Sequence, residues 1–450
     1  MLAPFGLNKK ILRDCEIYKM LCAANKRRHL SFHTPGHKRK GFDVTELSFS
    51  DNLSAPTGCI RRAEEDIARI LGAEKAFICT DGSTCGVLSI LYAAREAGVK
   101  KVACPQLAHK SFFNGCKLLG LEAVEMPARY AGKIPLPPTE EDMRLALESA
   151  DALFLTSPDY YGNIPALAAA KGLCEAGKKL LLIDGAHGGH LHFERTVYAG
   201  TYADLWVDGV HKSLPAYTQG AVVCAQKGRT DLANKLQEGL DIFRTTSPSY
   251  PIMASIEYAV KFPRARRLEE AVAKYVLKNS NRFYFGGDWT KLCFWVGDLA
   301  FSVKENLEKK GIYPEFCDGN VLLFYLSPAV KMRQFKRLQS ALNKWIARLN
   351  ALEIVTPEKT VRQDPAPLVF EKYDKNGGTE WVELNAVVGR VCAKACGLFP
   401  PCLPLLSIGE KISESKVKLL KRADGTFGLK DGKICVFAEA TGQTETEKEE

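Results

Sequence analysis

The sequence predicts an α/β protein: a mainly parallel central sheet flanked by helices, plus a smaller C-terminal α+β domain. Three observations carry this. From residue 61 to residue 225, short apolar runs alternate with stretches of helical periodicity, the pattern of βαβ units whose strands are buried on both faces. One of these runs, residues 180–183, stops abruptly on Asp184, and a carboxylate there belongs on the ligand-facing edge of an open α/β sheet. After residue 252 the alternation lapses, and shorter strands and longer helices take over.

Taken in order, residues 1–50 form an N-terminal segment. They read as a helix over 9–26 and then a loop, HTPGHKRKG, punctuated as a turn at Pro35-Gly36. Residues 51–275 form the large domain. Its strands are expected at 76–80, 101–104, 123–126, 152–156, 180–183, 203–207 and 221–225. Helices are expected at 61–71, 85–97, 110–119, 140–149 and 166–176, and a long helical region at 252–276 leads away from the sheet. Residues 276–450 form the small domain, with strands at 292–296 and 321–326, helices at 302–310 and 330–349, and a Pro-rich stretch at 399–404.

Composition narrows the class. At 450 residues the chain can bury one large core and a second, smaller one. Its apolar and charged fractions, 46% and 25%, are those of an ordinary globular protein. No apolar run is long enough to span a bilayer, and the start lacks the apolar core of a secretion signal. The fifteen cysteines show neither a disulfide rhythm nor a metal-type CxxC pair, so they read as reduced thiols in a cytoplasmic protein. The net charge of +10 is concentrated early, with ten Lys or Arg in the first forty residues against Asp14 and Glu16. Without aromatic interleaving or a nucleic-acid motif, that stretch reads as a solvated face, and no nucleic-acid or membrane partner is expected.

The chemistry gathers at three strand ends. Asp81-Gly82-Ser83-Thr84 lies between a strand and a helix, where free N–H groups and hydroxyls can cradle a phosphate, although the same residues also suit a plain helix cap. Asp184 ends its strand and is followed by His187, His190 and His192. That cluster is open to two readings: metal ligands, as zinc sites use Asp and His at short spacing, or part of a cofactor site. Lys212 follows the apolar run 203–207, preceded by His211 and followed by Pro215, Thr218 and Gln219. A random lysine is a solvated surface group. One near a sheet edge is desolvated, which favours Schiff-base chemistry. A lysine, a strand-end acid and a phosphate turn together suit pyridoxal 5'-phosphate, and this reading uses all three stretches at once. No metal is expected on it.

At these residues the sequence resembles the ornithine/lysine/arginine decarboxylase family, in the short form without an N-terminal wing domain. The matching stretches are TPGHK (34–38), DNLSAPTGCI (51–60), DGSTCG (81–86), AHKS (108–111), TSPDYYG (156–162), DGAHGGH (184–190), HKSLPAYTQ (211–219), TTSPSY (245–250) and FPPCLPLLSIGEKI (399–412). The resemblance implies a fold-type-I, aspartate-aminotransferase-like pyridoxal-phosphate enzyme. It implies a carboxy-lyase that converts arginine, lysine or ornithine into a polyamine-type amine and CO2. It further implies that Lys212 holds the cofactor as a Schiff base, His109 stacks on its ring and Asp184 pairs with the pyridine nitrogen. Ser83 and Thr84 would hold the phosphate, His187 would lie beside the cofactor and His211 near its phosphate. The TTSPSY loop would reach a partner's site, so a homodimer or larger assembly is implied. Four departures stand out: Gly209 where the family carries serine, Pro215 for a small residue, Cys402 for glycine, and Ile408-Gly409-Glu410 for PGE. An aminotransferase, a carbon–sulfur lyase or a non-catalytic cofactor-binding protein remain alternatives.

Overall fold

The computed structural model describes residues 8–27, 30–38, 41–106, 108–127, 129–131, 134–352, 378–398, 404–406, 408–422 and 425–438. The chain separates into two compact units, Met1–Lys359 and Thr360–Glu450. The division falls well beyond the expected 275/276 boundary, because the second sheet and its helices stay within the first unit.

Seven strands build the main sheet: β1 (Ala73–Cys79), β2 (Lys101–Pro105), β3 (Glu122–Met126), β4 (Ala152–Thr156), β5 (Leu180–Gly185), β6 (Leu205–Asp208) and β7 (Ala221–Gln226). Their order is β1-β7-β6-β5-β4-β2-β3. β2 to β6 pair in parallel, whereas β7 runs antiparallel to both β1 and β6. The central strands β4 to β7 are buried on both faces because helices cover both, whereas the edge strand β3 exposes Glu122 and Glu125. In β4 the period of two is plain. Leu153 and Leu155 enter one buried cluster with Ile67, Ile183 and Met253, while Phe154 enters another with Phe112, Leu182 and Val207.

The expected helix over 9–26 is two helices, Lys9–Arg13 and Glu16–Lys26. The second packs Ile17 and Leu21 into the main core, and its first amides are received by Glu257. Glu16 N and Ile17 N donate to the two Glu257 carboxylate oxygens at 2.7 and 3.0 Å, and Lys261 pairs with Glu257 at 2.9 Å. The expected long helix over 252–276 is likewise two, Tyr250–Val260 and Arg266–Lys278. Pro263 lies between them, and a proline removes a helical hydrogen bond and clashes with the preceding turn.

A second, antiparallel sheet follows: β8 (Phe283–Tyr284), β9 (Lys291–Trp295), β10 (Phe316–Cys317) and β11 (Val321–Tyr325), ordered β8-β9-β11-β10. Helices Arg266–Lys278, Ala300–Glu308 and Met332–Ala351 pack against it through Leu268, Val303 and Phe335. The second unit contains β12 (Thr379–Glu383), β13 (Cys396–Leu398), β14 (Pro404–Leu406), helix Glu414–Arg422, β15 (Thr426–Phe427) and β16 (Lys433–Phe437). β12 pairs with β16, and β13 lies between β14 and β15. Residues 399–403 of the Pro-rich stretch, including Cys402, lie outside the described residues. Among the described residues, no helix is long and apolar enough to cross a membrane.

Glu257 is fully buried and joins two helices 240 residues apart. Glu257→Ala leaves two amides and Lys261 without that acceptor, so it is expected to cost about 3 kcal/mol of stability. Urea unfolding measures this, and limited proteolysis should cut within Glu16–Lys26 first.

Candidate active site

All the sequence-derived site residues lie where strands of the main sheet end or, for β7, begin. Thr80-Asp81-Gly82 follows β1, His109 follows β2, and Asp184 lies at the end of β5, opposite Thr156 on β4 and Val207 on β6. The turn after β6 carries Lys212 in the short helix Val210–Ser213. β7 starts at the same edge, so Gln219 and Gly220 return there. Gln219 O accepts from Gly82 N at 2.9 Å, and Gly220 O accepts from both the backbone N–H and Nδ1 of His211, at 3.1 and 3.0 Å. The turn bearing Ser83 and the turn bearing Lys212 are thus fastened to one dipeptide.

Lys212 Nζ lies 3.3 Å from His187 Nε2. Burial pushes the His187 imidazole well below its ordinary pKa, and the Lys212 and Lys291 charges add to this, so a neutral ring faces the lysine. His109 is pushed down to about 4 by burial, with Lys212 as the next cause. Its Nδ1 meets Ser111 Oγ at 2.8 Å, which fixes the ring at the start of helix Lys110–Leu119. Burial raises the Asp184 pKa, the Lys212 charge opposes this, and Asp184 Oδ1 accepts from Ala186 N at 3.0 Å. His211 is directed to Gly220 rather than to open solvent.

The other two histidines of the stretch take different partners. His190 Nε2 pairs with Asp288 Oδ1 at 2.9 Å, and His192 Nδ1 meets Gly189 O at 2.7 Å. Only His187 turns to the lysine.

Ser83 lies in the first turn of helix Gly82–Glu96, and its Oγ is buried with no hydrogen-bond partner. An orphaned hydroxyl at a helix N-terminus fits an anionic oxygen, because the free amides and the helix dipole favour negative charge. Thr84 is exposed beside it. A Cβ on Gly209 would lie 2.4 Å from Ala186 O and 2.7 Å from Ser83 Oγ. A serine at 209 therefore has no room, and Ser83 occupies part of the space it would need. A buried acid, an amine beside a neutral imidazole and an anion-ready turn together fit pyridoxal phosphate.

Sequence reasoning missed the wall of this site. Tyr160 and Tyr325 meet His187 edge-on, with ring centres at 5.5 and 5.6 Å. Tyr325 OH donates to Tyr160 O at 2.9 Å, and Tyr160 OH reaches Glu315 at 3.0 Å. Behind Tyr325 lies Lys291, buried, 4.3 Å from the ring centre and 3.2 Å from Asp288. Tyr160 was visible inside TSPDYYG. Tyr325, Asp288 and Lys291 carry no local signal, since their partners lie far away in the chain.

Similarity to known proteins agrees with this geometry. A family model described as Orn/Lys/Arg decarboxylase, major domain, matches residues 41–284. An arginine decarboxylase of Bacillus subtilis is 24% identical, over 90% of this chain and 93% of that one. An arginine decarboxylase of Bacillus cereus is 27% identical, over 90% and 99%. Among solved structures, the Francisella novicida lysine decarboxylase aligns with a TM-score of 0.70 at 17% identity, covering 94% of this chain and 81% of that one. A structure described as SPT with PLP aligns at 0.56 and 14% identity, covering 77% and 86%. These likenesses fix the architecture as that of the fold-type-I pyridoxal-phosphate enzymes.

Gly209→Ser is expected to weaken binding of pyridoxal phosphate to the cofactor-free chain by about 5- to 150-fold, because overpacking of about 1–3 kcal/mol falls on Ser83 and Ala186. Absorbance titration with the cofactor measures it. Wild-type affinity in this variant would mean that the backbone yields without cost.

Proposed function

The chain belongs to the Orn/Lys/Arg decarboxylase family, and from that footing we propose that it removes the α-carboxylate of arginine, lysine or ornithine as CO2, with pyridoxal phosphate held by Lys212. The observation that carries the reading is the pairing of Lys212 Nζ with a neutral His187 at 3.3 Å, on the sheet edge that also presents Asp184 and Ser83. The product would be an amine of the polyamine type, made in the cytoplasm, where free thiols such as Cys104 and Cys174 persist.

When bound, the cofactor supplies an electron sink for the pair left behind by CO2. The protein residues do the rest. Lys212 would supply the amine that anchors the cofactor and gives way to the substrate amine. Asp184, buried and carrying a raised pKa, gains a cationic partner if a protonated ring nitrogen lies against it, and that pairing holds the sink in its electron-poor form. Ser83 Oγ and the amides that follow Gly82 in the first turn of helix Gly82–Glu96 would receive the phosphate, with Thr84 at the rim. His109, held at the start of helix Lys110–Leu119, would cover the ring. His187 Nε2, kept neutral by burial and in reach of Lys212 Nζ, would accept a hydrogen bond from that amine and orient it, and Lys212 Nζ would return the proton toward Cα. His211 acts through Gly220, holding the Lys212 turn in place.

Incubating the purified chain separately with arginine, lysine and ornithine and measuring CO2 release tests the reading. One of the three should give stoichiometric amine without an added keto acid, and Lys212→Ala should abolish both turnover and borohydride-reducible cofactor. Turnover that depends on a keto acid would mark an aminotransferase instead.

Asp184→Asn is expected to keep the covalently held cofactor and lose roughly a thousandfold in kcat, as several kcal/mol of charge stabilisation disappear. A loss under tenfold, measured at saturating substrate, would reduce Asp184 to a structural role.

The loop RTTSPSY supports a shared site. Arg244 and Tyr250 are buried anchors, and Arg244 donates to Ile78 O at 3.2 Å and Leu53 O at 3.1 Å. Between them Thr246 and Ser247 are exposed, beside the Asp81 turn, whose carboxylate accepts from Thr245 N at 3.3 Å. In a homodimer these hydroxyls reach the partner's cofactor. Mixing Lys212→Ala with an inactive Thr246→Ala/Ser247→Ala protein, under conditions that exchange subunits, should then restore part of the activity. Exchange without recovery would exclude the shared arrangement.

A further inference from the structure

We propose that Cys79, Asp81 and Cys85 form a binding site for a thiophilic divalent cation of the zinc class, at the root of the turn that carries Ser83 and Thr84. One donor atom from each residue lies within 4.8 Å of the other two. Cys79 ends β1, Asp81 precedes helix Gly82–Glu96, and Cys85 stands in the first turns of that helix. The spacing C-x-D-x3-C thus puts two sulfurs and a carboxylate on one strand-to-helix junction. A tetrahedral zinc ion holds sulfur at about 2.3 Å, which sets its ligand atoms roughly 3.5–3.8 Å apart. The triangle therefore needs to close by about 1.3 Å at most.

Buried thiols are common in this chain, and packing alone accounts for Cys104, Cys174 and Cys224. Among the described residues, only the Cys79 and Cys85 pair comes together with a carboxylate in a three-donor group. The two sulfurs are buried, whereas Asp81 is half-exposed and leaves a route from solvent. The Asp81 carboxylate also makes no capping bond to its own helix. It holds Thr245 N and Thr80 Oγ1 at 3.3 Å each, contacts long enough to exchange for a metal. Binding releases two thiol protons, forms two sulfur bonds and one oxygen bond, and leaves a fourth position for water. No oxidation is involved.

The three ligands bracket Ser83 and Thr84, so the cation and the phosphate of the proposed cofactor bear on one turn. That coupling rests on the proposed function, whereas the cation site itself does not.

The experiment titrates Co2+ into the full-length, reduced, metal-free chain before any cofactor is added. We expect one ion per chain with visible tetrahedral bands and a thiolate charge-transfer band, lost in Cys79→Ser and in Cys85→Ser. Asp81→Asn should weaken binding at least tenfold. The signature surviving in the Cys79→Ser/Cys85→Ser double variant, or vanishing in Cys392→Ser/Cys396→Ser, would overturn the site. If the serine variants fail a circular-dichroism check of folding, alkylation of the wild-type chain with and without Zn2+ decides. Zinc should protect Cys79 and Cys85 in peptide mapping, and protection only at other cysteines sinks the proposal. Because these readouts need neither cofactor nor substrate, their failure is separable from a failure of the decarboxylase reading.

Discussion

The reversal of one strand governs the site. Because β7 runs against its neighbours, its first residues arrive at the edge where β1 and β6 end. The carbonyls of Gln219 and Gly220 then receive Gly82 from one turn and His211 from the other. Backbone hydrogen bonds of this kind are individually modest, about 1 kcal/mol each. Their effect here is geometric, since they fix the turn of Ser83 and the turn of Lys212 against the same few atoms. A fully parallel sheet would begin its corresponding strand at the far edge and leave the two turns without a common anchor.

Around that anchor the polar groups follow a consistent electrostatic logic. His109 and His187 are kept neutral by burial, and burial also raises the pKa of Asp184. Lys212 therefore lies between two neutral rings and an acid that holds negative charge once a cation is near. The buried cluster of Lys291, Asp288 and His190 lies one layer away, joined to the site through the Tyr325 ring. It also ties the second sheet to the stretch that follows β5, so the wall of the site is held by charge as well as by packing.

Much of the main sheet was legible in the sequence because its signals are local. An apolar run such as 152–156 can be read without knowing its neighbours, and the structure gives Ala152–Thr156 with the same bounds. Asp184 and Lys212 were singled out the same way, as polar residues placed abruptly after apolar runs, and the structure puts both at one edge of the sheet. What was missed depended on distance along the chain. The His190–Asp288 pair spans 98 residues, and Tyr325 meets a ring 138 positions earlier, so no window of periodicity contains either partner. The helix over 252–276 was read through Pro263 because apolar spacing continues on both sides of it. There the local rule against proline in a helix outweighs the periodicity.

The edge-on packing of Tyr160 and Tyr325 has a dynamic consequence for His187. An imidazole enclosed at nearly right angles by two rings, 89° and 84° from its own plane, cannot rotate half a turn without both tyrosines moving aside. In a close-packed interior such a flip waits on rare, collective openings rather than on the picosecond hops of an exposed ring. The nitrogen presented to Lys212 is therefore set when the chain folds, and it stays set through many turnovers. Two aromatic residues of the site wall thereby act as a memory of ring orientation, which a looser pocket would lose.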